Sequence, residues 1–306
     1  MAEFNRFAVR LAEESFDDLV ERAAFLECLW GRSDRQRAVV WVAGKSGSVG
    51  VPGPDWWPES CELVDGSVRM GDLAEHESGL IYAFDPSSVF EGGILQGILD
   101  EDEQSRPHSH LQLVRTGGGF VVDVCAAPGG KTMLAEAILK PGRLVCNEVI
   151  GKRLGMLRSN LDRCGVSGEV RNLDPGKLAD EFAGLADVVI VDAPCSGQSV
   201  LVKGGDNPGC FHPKTVEKNA MRQRRILAES ARMVLPGGWL MYSTCTYSVA
   251  ENEGLVEWFL GRNEEFSAVE VAGYEGMRSR FGVGYREWPH SGLGVGGFTC
   301  LLRRDR

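Results

Sequence analysis

Between residues 119 and 192 short apolar runs alternate with helix-like stretches, and the runs end at Val124, Glu148, Asn172 and Val191. This alternation restricts the fold more than any other feature of the chain, because successive β-α units build a mostly parallel sheet with helices on both faces. Ligands of such sheets settle in the crevice beyond the carboxyl ends of the strands. The residues that follow each run are therefore where chemistry is expected.

The first run turns into a helix through Cys125-Ala126-Ala127-Pro128-Gly129-Gly130-Lys131. Glycines there let the backbone approach a bound nucleoside. The spacing is neither that of a dinucleotide fingerprint nor that of a P-loop, since Cys125 and not glycine stands five residues before Gly130. Glu148 lies 23 positions beyond Cys125, close to the ~20-residue offset at which an acid accepts hydrogen bonds from a ribose diol. Asp174, after the third run, is placed to receive an adenine amino group, and Asp192 ends the fourth. Each acid alone reads as a solvated loop residue. Their repetition at successive strand ends points to a ligand that carries a nucleoside.

Two cysteines stand just beyond strand-like segments: Cys195 in Asp192-Ala193-Pro194-Cys195-Ser196-Gly197 and Cys245 in Tyr242-Ser243-Thr244-Cys245-Thr246. A thiolate is the soft nucleophile that adds to an electron-poor pyrimidine ring, and a second acid/base group then collapses the adduct. The ordinary alternative is a small buried hydrophobe, the reading kept for Cys28, Cys61, Cys146, Cys164, Cys210 and Cys300. Ser248-Val249-Ala250-Glu251 has the spacing of a capping box and opens onto Leu255, Trp258, Phe259 and Leu260. It predicts a helix starting near Ser248, whose positive end helps Cys245 ionise, and it assigns Glu251 to the cap.

Three blocks in this order resemble the NOP/Sun family of S-adenosylmethionine-dependent RNA cytosine-5 methyltransferases: Asp123 through Thr132, Asp192 through Gly197, and Pro236-Gly237-Gly238 leading into Tyr242 through Ser248 and Glu251-Asn252-Glu253. The resemblance spans roughly residues 77 to 306. Its flavour is that of the bacterial enzymes acting on ribosomal RNA, although transfer-RNA members share the same blocks. It implies a Rossmann-like class I methyltransferase sheet, mostly parallel, with Trp239–Ser243 and Phe298–Leu302 adding an antiparallel edge. S-adenosyl-L-methionine is the implied cofactor, held by Cys125, Ala126, Ala127, Pro128, Gly129, Gly130, Lys131, Glu148, Asp174 and Asp192. The family has aspartate where Glu148 stands. By the same resemblance Cys245 is the nucleophile and Cys195 assists product release, with Asp192 and Lys131 completing the catalytic set. The implied partner is RNA, ribosomal RNA or a ribosomal subunit ahead of transfer RNA. Methyl transfer to another nucleophile, and a non-catalytic RNA-binding assembly factor, remain open as competing readings.

The rest of the chain is less specific. Its 306 residues exceed a typical single domain, and the division expected is a small N-terminal α+β subdomain at 1–76, a candidate for RNA docking, and a catalytic domain at 77–306. Phe16, Leu19, Val20, Ala23 and Leu26 recur at helical spacing, the strand-like Ala38 through Val42 follows, and Ser87-Ser88-Val89-Phe90 opens another apolar helix. Trp56 and Trp57 are expected to pack against the core. Nine cysteines without a C-x-x-C pair, and no apolar signal segment at the start, predict a reduced, cytoplasmic protein. No metal is expected, and the charged stretch Glu101 through His110 reads as a solvated loop. No run is long and apolar enough to span a membrane, and a monomer is expected. A net charge of −10 argues against a general nucleic-acid binder. A helix predicted from Lys214 to Leu235 nevertheless carries Arg222, Arg224 and Arg225, with Lys203, Lys214 and Lys218 nearby. These cations either line an RNA path or solvate the helix.

Overall fold

The computed structural model describes residues 5–31, 36–42, 44–99 and 118–305; the stretch Glu101 through His110 lies outside them. Five parallel strands form the centre of the larger sheet: β5 (Phe120–Asp123), β6 (Arg143–Asn147), β7 (Glu169–Arg171), β8 (Ala186–Asp192) and β9 (Val234–Thr244). With β10 (Phe266–Ala268), β11 (Tyr285–Glu287) and β12 (Gly297–Arg304), the order is β10-β12-β9-β8-β5-β6-β7, and β11 pairs with β12. The order reverses between β5 and β8, whose carboxyl ends carry the glycine loop and Asp192. β12 pairs antiparallel with β9, Phe298 opposite Thr244, as the resemblance implies. It is not the edge, because β10 and β11 pair along its far side.

A smaller antiparallel sheet has the order β2-β3-β1-β4, formed by β1 (Arg37–Trp41), β2 (Val51–Pro52), β3 (Cys61–Val64) and β4 (Ile81–Phe84). Its fourth strand lies beyond residue 76. Ala38, Val40 and Tyr82 from this sheet share one core with Val121 and Leu144 from the larger one and with Met133 from the helix Gly130–Leu139. Trp57 is buried in that core and Trp56 packs against it. The predicted helix after Asp85 is present at Pro86–Gly93, with the Asp85 carboxylate accepting from Ser87 N. The helix predicted from Lys214 to Leu235 spans Pro213–Ala231.

The N-terminal helix expected from Phe16 to Leu26 is instead two. Arg6–Ser15 ends, Phe16 is extended and buried, and Asp18 caps a second helix, Leu19–Trp30, by accepting from Val20 N. A cap side chain two residues past Phe16 resets the helix phase. The buried face becomes Phe25, Leu26 and Leu29, while Leu19 and Val20 are exposed.

Candidate functional site

Strand β5 ends in Asp123, whose buried carboxylate accepts from Thr132 Oγ1 at 2.6 Å and Cys125 N at 3.3 Å, tying both ends of the glycine loop together. Burial pushes that carboxyl up to about 7, against the pull of the Thr132 hydroxyl. Within the loop Gly129 has φ +119°, a region that disfavours any side chain, and the helix Gly130–Leu139 starts immediately after it. Asn147, at the end of β6, was not singled out in the sequence, yet it joins three strand ends. Its amide donates to Val124 O at 3.1 Å and Leu173 O at 3.0 Å, and it accepts from Leu173 N at 2.9 Å.

These loops border a cavity of about 790 Å³ lined by Cys125 through Pro128, Gly130, Lys131, Glu148, Asp174, Asp192, Cys195 and Cys245. Apart from Gly129, which shapes the loop, the residues assigned from sequence thus converge on one space. Glu148 is buried and anchored by Ile150 N at 2.8 Å. Its other oxygen faces Arg153 at 3.0 Å without hydrogen-bond alignment, and so lacks a hydrogen-bond partner. An unsatisfied buried carboxylate oxygen on a cavity wall suits a ligand hydroxyl. Asp174 caps the helix Pro175–Phe182 and pairs with Arg225 at 2.7 Å. The donor set therefore fits a nucleoside-bearing cofactor at Glu148, with Val149 and Ile150 supplying adjacent apolar wall.

Across the cavity Cys195 Sγ and Cys245 Sγ are 3.2 Å apart, although 50 residues separate them in the chain. The Cys195 loop is held by side chains from elsewhere. Glu251 accepts from Ser196 N at 2.8 Å and Gln223 Nε2 at 2.9 Å, Ser196 Oγ meets Thr246 Oγ1 at 2.7 Å, and Tyr247 N donates to Gln198 at 2.9 Å. Glu251 therefore does not cap a helix. Ser248 makes no side-chain cap, a 3₁₀ turn occupies Val249–Glu251, and the helix Glu253–Leu260 starts later. Serine three residues before glutamate mimics a capping box, but the carboxylate finds a donor 55 residues away.

The two thiols are polarised in opposite directions. The hydrogen bond from Cys195 brings Cys245 down to about 7, outweighing burial and Asp192, with Ser199 and Lys203 helping. That bond, then burial, holds Cys195 well up as a thiol. The help expected from a helix start near Ser248 is thus supplied by a neighbouring thiol and Lys203. Asp192 accepts from Ser243 Oγ at 3.0 Å and lies 3.5 Å from Lys131 Nζ. Iodoacetamide labelling of Cys245 is expected to rise with pH through a midpoint near 7, because the thiolate is the reacting form. In Cys195→Ala the midpoint moves up; an unmoved midpoint contradicts the assignment.

The basic cluster divides. Lys203, Arg222 and Arg225 line the cavity, whereas Arg224 lies 5.3 Å from the Trp258 ring centre. No helix among the described residues is long and apolar enough to cross a membrane, and no group of metal-ligating side chains is present among them.

Residues 111–303 match the family model described as 16S rRNA methyltransferase RsmB/F. The chain is 32% identical over 209 residues to ribosomal RNA small subunit methyltransferase F of Klebsiella pneumoniae (strain 342), covering 68% of this chain and 40% of that protein. It therefore spans about two fifths of the length of such relatives. Among solved structures, a methyltransferase homolog protein from Pyrococcus horikoshii superposes with TM-score 0.70 at 20% identity, covering 98% of this chain and 99% of that one, a likeness of fold. NSun6 from Pyrococcus horikoshii with SFG matches at TM-score 0.61 and 26% identity, covering 81% of this chain and 60% of that one.

Proposed function

Because the chain belongs to the RsmB/F family of 16S rRNA methyltransferases, we propose that it transfers a methyl group from S-adenosylmethionine to C5 of a cytosine in ribosomal RNA. The observation that carries this reading is the Cys195–Cys245 pair, 3.2 Å apart on the wall of a cavity that Glu148 also lines. A ribose diol needs an acceptor such as the unsatisfied Glu148 oxygen. The cofactor, when bound, supplies the electrophilic methyl group. Cys245 thiolate adds to C6 of the cytosine, opening the C5–C6 double bond, while Asp192 hydrogen-bonds N3 or the exocyclic amine. C5 becomes nucleophilic and would take the methyl group as the S–CH3 bond of the sulfonium breaks, leaving S-adenosylhomocysteine. A water ordered by the Cys195 thiol removes the C5 proton, the double bond reforms, and Cys245 leaves as a thiolate beside that thiol. The compartment that goes with this substrate is the cytoplasm.

Lys203, which acts on Cys245, and Arg222 line the cavity and are assigned to the phosphates flanking the target base. The test is methyl transfer to unmethylated small-subunit rRNA, naked and assembled, followed by nucleoside analysis. The expected product is 5-methylcytidine. Lys203→Ala and Arg222→Ala are expected to raise KM for RNA about 3- to 10-fold each and to flatten the salt dependence by about one counterion. Transfer to a different atom, or to neither RNA form, removes the reading.

A further inference from the structure

Glu91, in the helix Pro86–Gly93, received no role from the sequence. Its Oε2 stands 2.5 Å from Lys131 Nζ, with side-chain exposures of 4% for Glu91 and 5% for Lys131. On the cavity side the same ammonium faces Asp192 Oδ2 at 3.5 Å. Lys131 is thus clamped between a dry carboxylate and a cavity-facing one. Burying such a pair is often less stabilising than packing apolar residues of the same volume, so stability alone does not explain it.

The seat of Glu91 supplies a second observation. A Cβ on Gly297 would fall 2.1 Å from Glu91 Oε1 and 3.0 Å from Thr244 O, and no left-handed backbone requires glycine there. The space left on β12 is filled by the carboxylate, next to the residue that precedes Cys245. Thr299 Oγ1 donates to Glu91 O at 2.8 Å and fixes the helix to the same strand.

We propose that Glu91 is a positioning residue, which holds Lys131 Nζ protonated and fixed against Asp192 so that its N–H groups face the target base. The inference rests on the methyl-transfer reading above. The ionisable groups acting on Lys131 include Asp192, Glu91 and Cys245, and Asp123 and Tyr82 also feel its charge. Burial works against both charges, pushing the Glu91 carboxyl well up against the pull of Lys131, but Asp192 and Glu91 outweigh it at the ammonium and raise its pKa, and the 2.5 Å contact between two dry groups is that of an ion pair. Without the Glu91 charge that balance shifts toward burial, and the protonated form is lost as pH rises through a lower value.

Wild-type and Glu91→Gln proteins are compared for kcat and KM between pH 6 and 10 on rRNA, with S-adenosylhomocysteine binding as the check on folding. Wild-type transfer confirms the substrate reading first; its absence fails that reading and this inference together. Given wild-type transfer, Glu91→Gln is expected to lose about 10- to 100-fold in kcat, to keep KM for RNA within about threefold, and to show an alkaline limb at lower pH. An unchanged kcat and pH profile overturns the inference, as does a uniform loss with an unshifted limb. If the Gln protein fails to fold, Glu91→Asp decides, since a carboxylate withdrawn by one methylene must also lower kcat; a wild-type kcat there overturns the inference.

Discussion

Cys195→Ala protein, incubated with unmethylated rRNA and S-adenosylmethionine, is expected to accumulate a denaturant-resistant protein–RNA adduct. Mass spectrometry should place Cys245 on C6 of a 5-methylated cytosine. Cys245→Ala should form no adduct and lose at least about 10³-fold in methyl transfer, the scale on which nucleophile removal acts. The asymmetry follows from the electrostatics of the pair. Only Cys245 is shifted toward the thiolate, and Cys195, 3.2 Å away and held as a thiol, lies next to the sulfur that must leave. Losing Cys195 weakens Cys245 as an acid, so the adduct forms more slowly at pH 7; losing the elimination step lets it persist. An adduct through Cys195, or turnover that survives in Cys245→Ala, would exchange the roles or move the reaction to another atom.

What could be read from the sequence is what sits next to its own signal. Asp192, Glu148 and Asp174 follow apolar runs directly, and each lines the cavity because parallel strands deliver their carboxyl ends to one edge. Cys195 and Cys245 follow strands that pair with each other, Asp192 opposite Ser243, so their meeting was implicit once both strands joined one sheet. The groups that were missed act across long separations. Glu91 reaches Lys131 over 40 residues and Glu251 reaches Ser196 over 55, and neither leaves a local pattern. For Glu251 the local pattern pointed to the wrong partner. The strand β12 was legible as an apolar run, but its place inside the sheet depends on β10 and β11, each only three residues long.

Arg286→Met is expected to destabilise the protein by about 3–5 kcal/mol, the range for removing one partner of a buried ion pair. Arg286 on β11 and Glu253 at the start of the helix Glu253–Leu260 have side-chain exposures of 3% and 0%. The guanidinium grips the carboxylate through Nε and Nη2, the latter at 2.5 Å, and Ser279 Oγ donates to the same carboxylate. Its Nη1 donates to Tyr247 O at 2.8 Å. Methionine fills the volume between Trp288 and Phe298 but leaves a carboxylate in a dry core, so the loss comes from an unpaired charge rather than a cavity. Lysine does not substitute, because a single ammonium cannot reproduce the two-pronged contact and reach Tyr247 O as well. In urea denaturation the Arg286→Met/Glu253→Met double variant is expected to recover part of the loss, giving a coupling energy above about 1 kcal/mol. Since Tyr247 lies two residues beyond Cys245, a folded Arg286→Lys protein should also lose kcat more than substrate affinity. A loss below about 1 kcal/mol in Arg286→Met, with additive double-variant behaviour, would mean that the pair neither fixes this corner of the sheet nor supports the loop that carries the nucleophile.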